Sequence, residues 1–202
     1  CNYKLRGHES DGDEIFVEEL AKTLGVKFYV TSFETEKISK EKNIGIQELA
    51  RDLRYEWFNN LVKENKFNVI ATAHHAQDNI ETILFNLTRG SGIKGLIGIP
   101  AINENIIRPM LSATQNEIED FITKNKITFR QDNSNESDKY SRNKIRHNVI
   151  PVLKEINPNI EETFTRQSHY FNDIKSIYQT SLSILKSEIT SLENNYLKID
   201  LK

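Results

Sequence analysis

The sequence predicts an α/β fold, with a mostly parallel sheet flanked by helices and followed by a helical extension. Short β-branched or apolar runs at residues 26–33 (VKFYVTSF) and 68–71 alternate with helical patterns at 15–24, 45–66 and 77–89. Strands separated by helices imply right-handed crossovers and hence parallel strands. The loop at 72–82 (TAHHAQDNIET) sits where a strand gives way to a helix, the usual place for chemistry in such a sheet.

The elements follow in order. Residues 1–5 read as the tail of a strand. Ser10 or Asp11 is expected to cap the next helix, whose apolar positions Ile15, Phe16, Leu20 and Leu24 recur at helical spacing until Gly25 stops it. Residues 34–43 are charged and read as a loop with a frayed turn. Residues 45–66 form a long helix with Ile46, Leu49, Ala50, Leu53, Trp57 and Leu61 as its stripe. Four of the eight glycines fall between Arg89 and Pro100. This run reads as a helix end and tight loop, or as backbone that a ligand can approach closely. It follows a helix, so its GSGxxG spacing is not a dinucleotide fingerprint. Residues 106–111 read as extended. Thr114 with Glu117 reads as a capping box, and residues 127–130 as a last short strand. Residues 131–142 are loop-like. The helix at 143–153 is expected to be interrupted at Pro151, and a new one to begin near Pro158. Residues 159–193 read as a long polar helix, with a further strand at 196–201.

Composition bounds the function classes. With 202 residues, 37% hydrophobic and 28% charged, the chain suits one domain plus an appendage. No apolar run approaches the roughly 20 residues a membrane helix needs, so no membrane partner is expected. Cys1 is the single cysteine, which excludes an internal disulfide and fits a reducing cytoplasm. The net charge of −2 carries no global basic field, but Lys139, Arg142, Lys144, Arg146 and Lys154 form an acid-free basic stripe suited either to phosphate or to a solvated helix face.

Asp78 is the leading candidate for chemistry, an acid at a strand mouth. The alternative is a helix cap. Glu81 lies one helical turn on, as a second ligand or as a partner for Arg89. His74 and His75 leave the strand on opposite faces, so at most one readily faces the site. Their spacing is not that of a helical zinc pair. Arg89, Ser91, Gly92 and Arg6 are candidate phosphate contacts, against helix-end and capping roles. Arg142, Asn143, Lys144, Arg146 and His147 are the candidate nucleic-acid-facing group, with a solvated helix start as the alternative.

Several stretches together carry a family likeness: LRGHESDGDEIFVEELAKTLG at 5–25, ARDLRYEWF at 50–58, TAHHAQDNIETILFNLTRGSGIKGLIGIP at 72–100, RPML at 108–111 and DNSNESDKYSRNKIRHNVIPVLKEINP at 132–158. In this order they resemble the tRNA(Ile)-lysidine synthase family of the ATP-pyrophosphatase, or PP-loop, superfamily. The RGSG and RNKIRH runs discriminate best. The resemblance implies a partial PP-loop catalytic domain over 1–157 and a helical linker opening a C-terminal region over 158–202. It implies ATP and Mg²⁺ as cofactors, and L-lysine and a tRNA(Ile) with a CAU anticodon as substrates. A homodimer is an assembly such a chain could adopt. In the implied reaction the cytosine C2 oxygen attacks the α-phosphate of ATP and pyrophosphate leaves. The lysine ε-amine then attacks C2 and AMP leaves. Asp78, His75 and Glu81 would be catalytic, with Asp78 on the Mg²⁺.

Two departures accompany the likeness. The family's SGGxDS phosphate loop precedes a piece like residues 1–13 and is absent here, so this polypeptide alone is expected not to turn over. Gln77 stands where the family often has an acid. Two alternatives stay open: a non-catalytic tRNA-binding fragment of the same fold, and another PP-loop tRNA-modifying enzyme such as a thiolase. The shortage of cysteines disfavours the thiolase.

Overall fold

The computed structural model describes residues 1–131, 141–193 and 196–199, and the side chains at 191–197 and 199 are left aside. The chain divides into two compact units, Cys1–Ile70 and Ala71–Lys202.

The first unit holds α1 (His8–Leu24), α2 (Thr35–Lys42) and α3 (Ile46–Asn65). Gly25 ends α1 in the left-handed conformation, φ 65°, its N–H returning to the Ala21 and Lys22 carbonyls. The start of α1 differs from expectation. The helix begins at His8 with Gly7 at its N-cap, so Ser10 and Asp11 lie inside it. The Ser10 hydroxyl instead accepts the Arg6 N–H at 3.2 Å, and Asp11 pairs with Lys4 at 2.5 Å. Residues 35–42 form a helix where a loop was expected. Its cap residue Asn43 takes the left-handed form, φ 53°, which asparagine tolerates better than most residues.

The expected strand at 26–33 forms no ladder. A single parallel bridge joins Asn2 to Ser32, through Asn2 N–H to Thr31 O (2.8 Å) and Phe33 N–H to Asn2 O (2.9 Å). A β-rich sequence supplies a candidate strand, but a ladder also needs a neighbour in register. The buried Asn2 side chain fastens this corner, donating to Asp11 (3.0 Å) and Glu14 (2.8 Å) and accepting the Lys4 N–H. Thr35, also buried, donates to the Tyr3 carbonyl at 3.0 Å.

The second unit follows strand β1 (Ile70–Ala71) with α4 (Ala76–Thr88), α5 (Gly92–Leu96), β2 (Ile102–Asn103), β3 (Ile106–Ile107) and α6 (Gln115–Asn125). The strand order is β1-β3-β2, with β2 and β3 antiparallel. The expected strand at 127–130 is absent. Thr114 and Glu117 form the expected capping box on α6: the Thr114 hydroxyl accepts the Glu117 N–H, and the Glu117 carboxylate accepts the Thr114 N–H at 2.8 Å.

The expected break at Pro151 is a widening instead. Helix α7 (Ser141–Lys144) runs into a π-helical turn (Ile145–Val149), then α8 (Ile150–Ile156). Pro151 has no N–H for the His147 carbonyl. The ladder loosens ahead of it, and Ile150 N–H reaches back five residues to Ile145 O. Helix α9 (Ile160–Ile189) follows, and its end leads into a hairpin of β4 (Thr190–Glu193) and β5 (Tyr196–Ile199). The expected loop residues 132–140 lie outside the described residues.

The core of this unit gathers Ile80, Ile145, Ile150 and Ile160, with Leu84, Phe85, Leu153 and Phe164 packed against them. It therefore fixes α4 against the π turn and the start of α9. Asn79, beside fully buried Ile80, is buried too. Its Oδ1 accepts the Ile99 N–H at 2.8 Å and its Nδ2 donates to Ser168 Oγ at 3.0 Å. Gly98 passes so close, at φ 73°, that a Cβ there would lie 2.0 Å from Asn79 Oδ1.

Two outcomes follow. Gly98→Ala should lower stability by about 1–3 kcal/mol in urea unfolding, through overpacking and backbone strain. The Glu117 carboxyl is held below its ordinary pKa first by the Thr114 backbone N–H and then by the Thr114 hydroxyl. A depressed folded pKa means the cap contributes above the unfolded value and fades as pH falls through the folded one. An NMR titration should show Glu117 protonating below an ordinary glutamate, and Glu117→Gln should remove that component of acid sensitivity.

Candidate functional site

Helix α4 starts where β1 and a four-residue connection deliver it, so its first turn carries the polar loop residues into one place. The Asp78 carboxylate accepts the His75 N–H at 3.0 Å, capping the helix. The same carboxylate lies 3.6 Å from His75 Nε2 on one oxygen and 3.6 Å from Arg146 on the other. Glu81, one turn on, is 3% exposed and takes Arg146 in a two-point grip: Nε to Oε1 at 2.6 Å and Nη2 to Oε2 at 3.1 Å. The Arg146 side chain, 25% exposed, enters from the π turn. Burial works against its charge. The Glu81 hydrogen bond and charge, with Asp78 behind them, outweigh that and raise the guanidinium pKa above its ordinary value.

The structure thus joins His75, Asp78, Glu81 and Arg146. A stereochemical reason lies in the spacing. Residues 78 and 81 share one helix face, and a planar guanidinium can bind one carboxylate side-on while lying near another. The cluster can hold a proton or a cationic group beside Asp78, which is a quarter exposed, whereas Glu81 is spent on Arg146. Among the described residues, no hydrogen-bond partner meets the buried His75 Nδ1. His74 turns elsewhere, its Nδ1 2.9 Å from the Thr72 hydroxyl.

The remaining candidates are placed differently. Arg89 is exposed and lies over the Phe85 ring at 5.4 Å, a cation–π contact, not a partner of Glu81. Ser91 and Gly92 are exposed around the start of α5, and Ser91 Oγ donates to the Asn86 carbonyl. Arg6 belongs to the first unit and pairs with Asp13 at 2.7 Å. Arg142 and Lys144 are exposed on α7, while Asn143 and His147 are half-buried. Arg146 does not share the exposed face of Arg142.

Two buried groups escaped the sequence reading. Glu161, 4% exposed, accepts the Gln115 N–H at 2.8 Å and pairs with Lys154 at 2.5 Å, so it fastens α6 and α8 to α9. Arg108 is buried with its Nη1 on the Pro100 carbonyl at 2.6 Å. Glu161 gave no signal beyond being an acid in the first turn of a helix. Arg108 could have been singled out as an arginine inside an otherwise apolar extended run.

Among the described residues, no group of three or more His, Cys, Asp or Glu side chains is placed to hold a metal ion. No described helix is long and apolar enough to cross a membrane.

Comparison with known proteins bears on these residues. A PP-loop domain model matches residues 1–153. The tRNA(Ile)-lysidine synthase of Porphyromonas gingivalis W83 is 45% identical over 179 residues, which is 88% of this chain and 39% of that protein. The protein of the same name from Bacteroides thetaiotaomicron is 41% identical, over 99% of this chain and 46% of its own length. That of Petrotoga mobilis is 36% identical, over 96% of this chain and 64% of its own length. This chain therefore spans about two fifths to two thirds of these relatives. The match to the domain model covers the histidine loop, the π turn and all four residues of the cluster, and the chain belongs to the PP-loop family of ATP-binding domains.

Proposed function

We propose that this chain carries ATP-dependent attachment of L-lysine to the wobble cytidine of a tRNA(Ile) with a CAU anticodon. One observation carries the reading. Arg146, from the RNKIRH run, grips Glu81 and approaches Asp78 of the histidine loop, so two of the stretches that resemble lysidine synthases meet in one cluster. The relatives' names support the same reaction.

In this reading residues 1–157 are the catalytic part and 158–202 the linker and the opening of a C-terminal region. The mostly parallel sheet belongs to the same proposal, and the parallel bridge of Asn2 with Ser32 supports it. The cytosine C2 oxygen attacks the ATP α-phosphate and pyrophosphate leaves. The lysine amine then attacks C2 and AMP leaves. Asp78 receives the lysine ammonium and helps it lose a proton, with His75 beside it. Glu81 and Arg146 hold Asp78 in place and keep the helix start rigid. Mg²⁺ commonly rides on nucleotide phosphates with one or two protein carboxylates. Here Asp78, with one oxygen on the His75 N–H, is the carboxylate that could join it, and the ion would offset charge on the phosphates. Arg89, Ser91, Gly92 and Arg6 are the phosphate-contacting group. Arg142 and Lys144, with Asn143 and His147, face the tRNA backbone. Cytoplasmic placement and a homodimer belong to the same proposal.

Lysine incorporation into the tRNA, measured in the chain extended to the length of its relatives, tests this. Asp78→Asn should lower the rate by about 10²-fold or more with little change in thermal midpoint; undiminished incorporation would refute the assignment. Glu81→Gln should cost about 1–3 kcal/mol in urea unfolding, less than for a fully buried pair because Arg146 keeps some solvent. The double change Arg142→Ala with Lys144→Ala should weaken tRNA binding and reduce the salt slope by about 1–2. An unchanged slope would remove these residues from the interface.

A further inference from the structure

Beside α4, with Asn79 in its wall, the second unit holds a groove of about 600 Å³. Its walls are mainly apolar, with Ile97, Ile99, Ile102 and Leu111 on one side and the α9 residues Ser168 and His169 on the other. Arg108 lines it and is 7% exposed. Its Nη1 is spent on the Pro100 carbonyl, its Nε has no acceptor, and among the described residues no carboxylate pairs with it. A buried guanidinium without a counter-charge is costly, and proteins otherwise pair such groups. Arg146, Lys154 and Lys4 all have their carboxylates. Arg108, more deeply buried than any of these three, has none among the described residues and opens onto a groove.

We propose that this groove is a second ligand site that takes a small organic monocarboxylate with an apolar body, its carboxylate on Arg108. The guanidinium fork matches a planar carboxylate in two-point geometry. A single negative charge balances a single positive one, whereas a phosphate dianion would be left under-neutralised. The apolar walls receive the body of the ligand. No acid lines the groove, so a free amino acid would bring an ammonium with no partner there. The site is distinct from the Asp78 cluster, yet Asn79, the next residue, forms part of its wall.

Hexanoate is the probe, with hexanol, norleucine and inorganic phosphate as controls, followed by amide NMR of the full chain. Hexanoate should shift the Ile99, Ser168 and His169 signals saturably. Hexanol, norleucine and phosphate should each bind at least about tenfold more weakly. Arg108→Gln should weaken hexanoate by the same factor. Because that variant could lose its fold, Ala101→Trp provides a second test: Ala101 is exposed on the groove rim, so the new ring should block hexanoate while the thermal midpoint stays. The proposal fails if hexanoate shifts none of these signals, if hexanol binds as tightly, or if Ala101→Trp keeps full binding in a folded protein.

Discussion

The second unit depends on a guanidinium placed between two carboxylates of one helix turn. Glu81 is almost sealed from water, and an ionised carboxylate there persists only if a cation reaches it. Arg146 does so from a helix more than sixty residues later in the chain. The contact fixes the entry of α4, because the same arginine approaches Asp78, and Asp78 holds the His75 backbone. Ile80, Ile145 and Ile150 bury themselves directly beside this ion pair, so apolar packing and charge pairing hold the same two elements together. Loss of either weakens the other: poorer packing admits water to the pair, and an unpaired charge resists burial.

A second clamp repeats the device at the start of α9. Glu161 neutralises Lys154 and also satisfies a backbone N–H at the start of α6. Helix starts leave such donors unpaired, and α6 draws on a neighbouring helix as well as its own capping box. The π turn belongs with these clamps. It adds a residue to the helical register just before Pro151, which turns the segment bearing Arg146 relative to an unbroken α-helix. The widened turn is thus part of how the arginine reaches α4. The proposed lysine ligation needs such rigidity, since an acid that accepts an ammonium must stay in place while its partner moves.

Much was legible without coordinates. The α3 stripe from Ile46 to Leu61, the Gly25 stop and the Thr114–Glu117 box all formed as read, since each rests on residues near one another in the chain. The errors share a different origin. Residues 26–33 and 127–130 have strand composition, yet strands form only where another segment offers its backbone. Residues 35–42 look like a charged loop, but a buried Thr35 anchors them as a helix. In the candidate cluster, His75, Asp78 and Glu81 were recognisable from their place after a strand, whereas Arg146 read as part of a basic stripe facing tRNA phosphates.

The family, the position of the histidine loop and the two carboxylates on one helix face can be read along the chain, because motif order and helical periodicity are local properties. The packing of distant helices settled that Arg146 turns inward to those carboxylates while Arg142 stays outside. It also decided that Glu161 and Arg108 are buried, one with a counter-charge and one without. Charge pairing across distant helices depends on which faces the core brings together, and a linear pattern of basic and acidic residues does not contain that information.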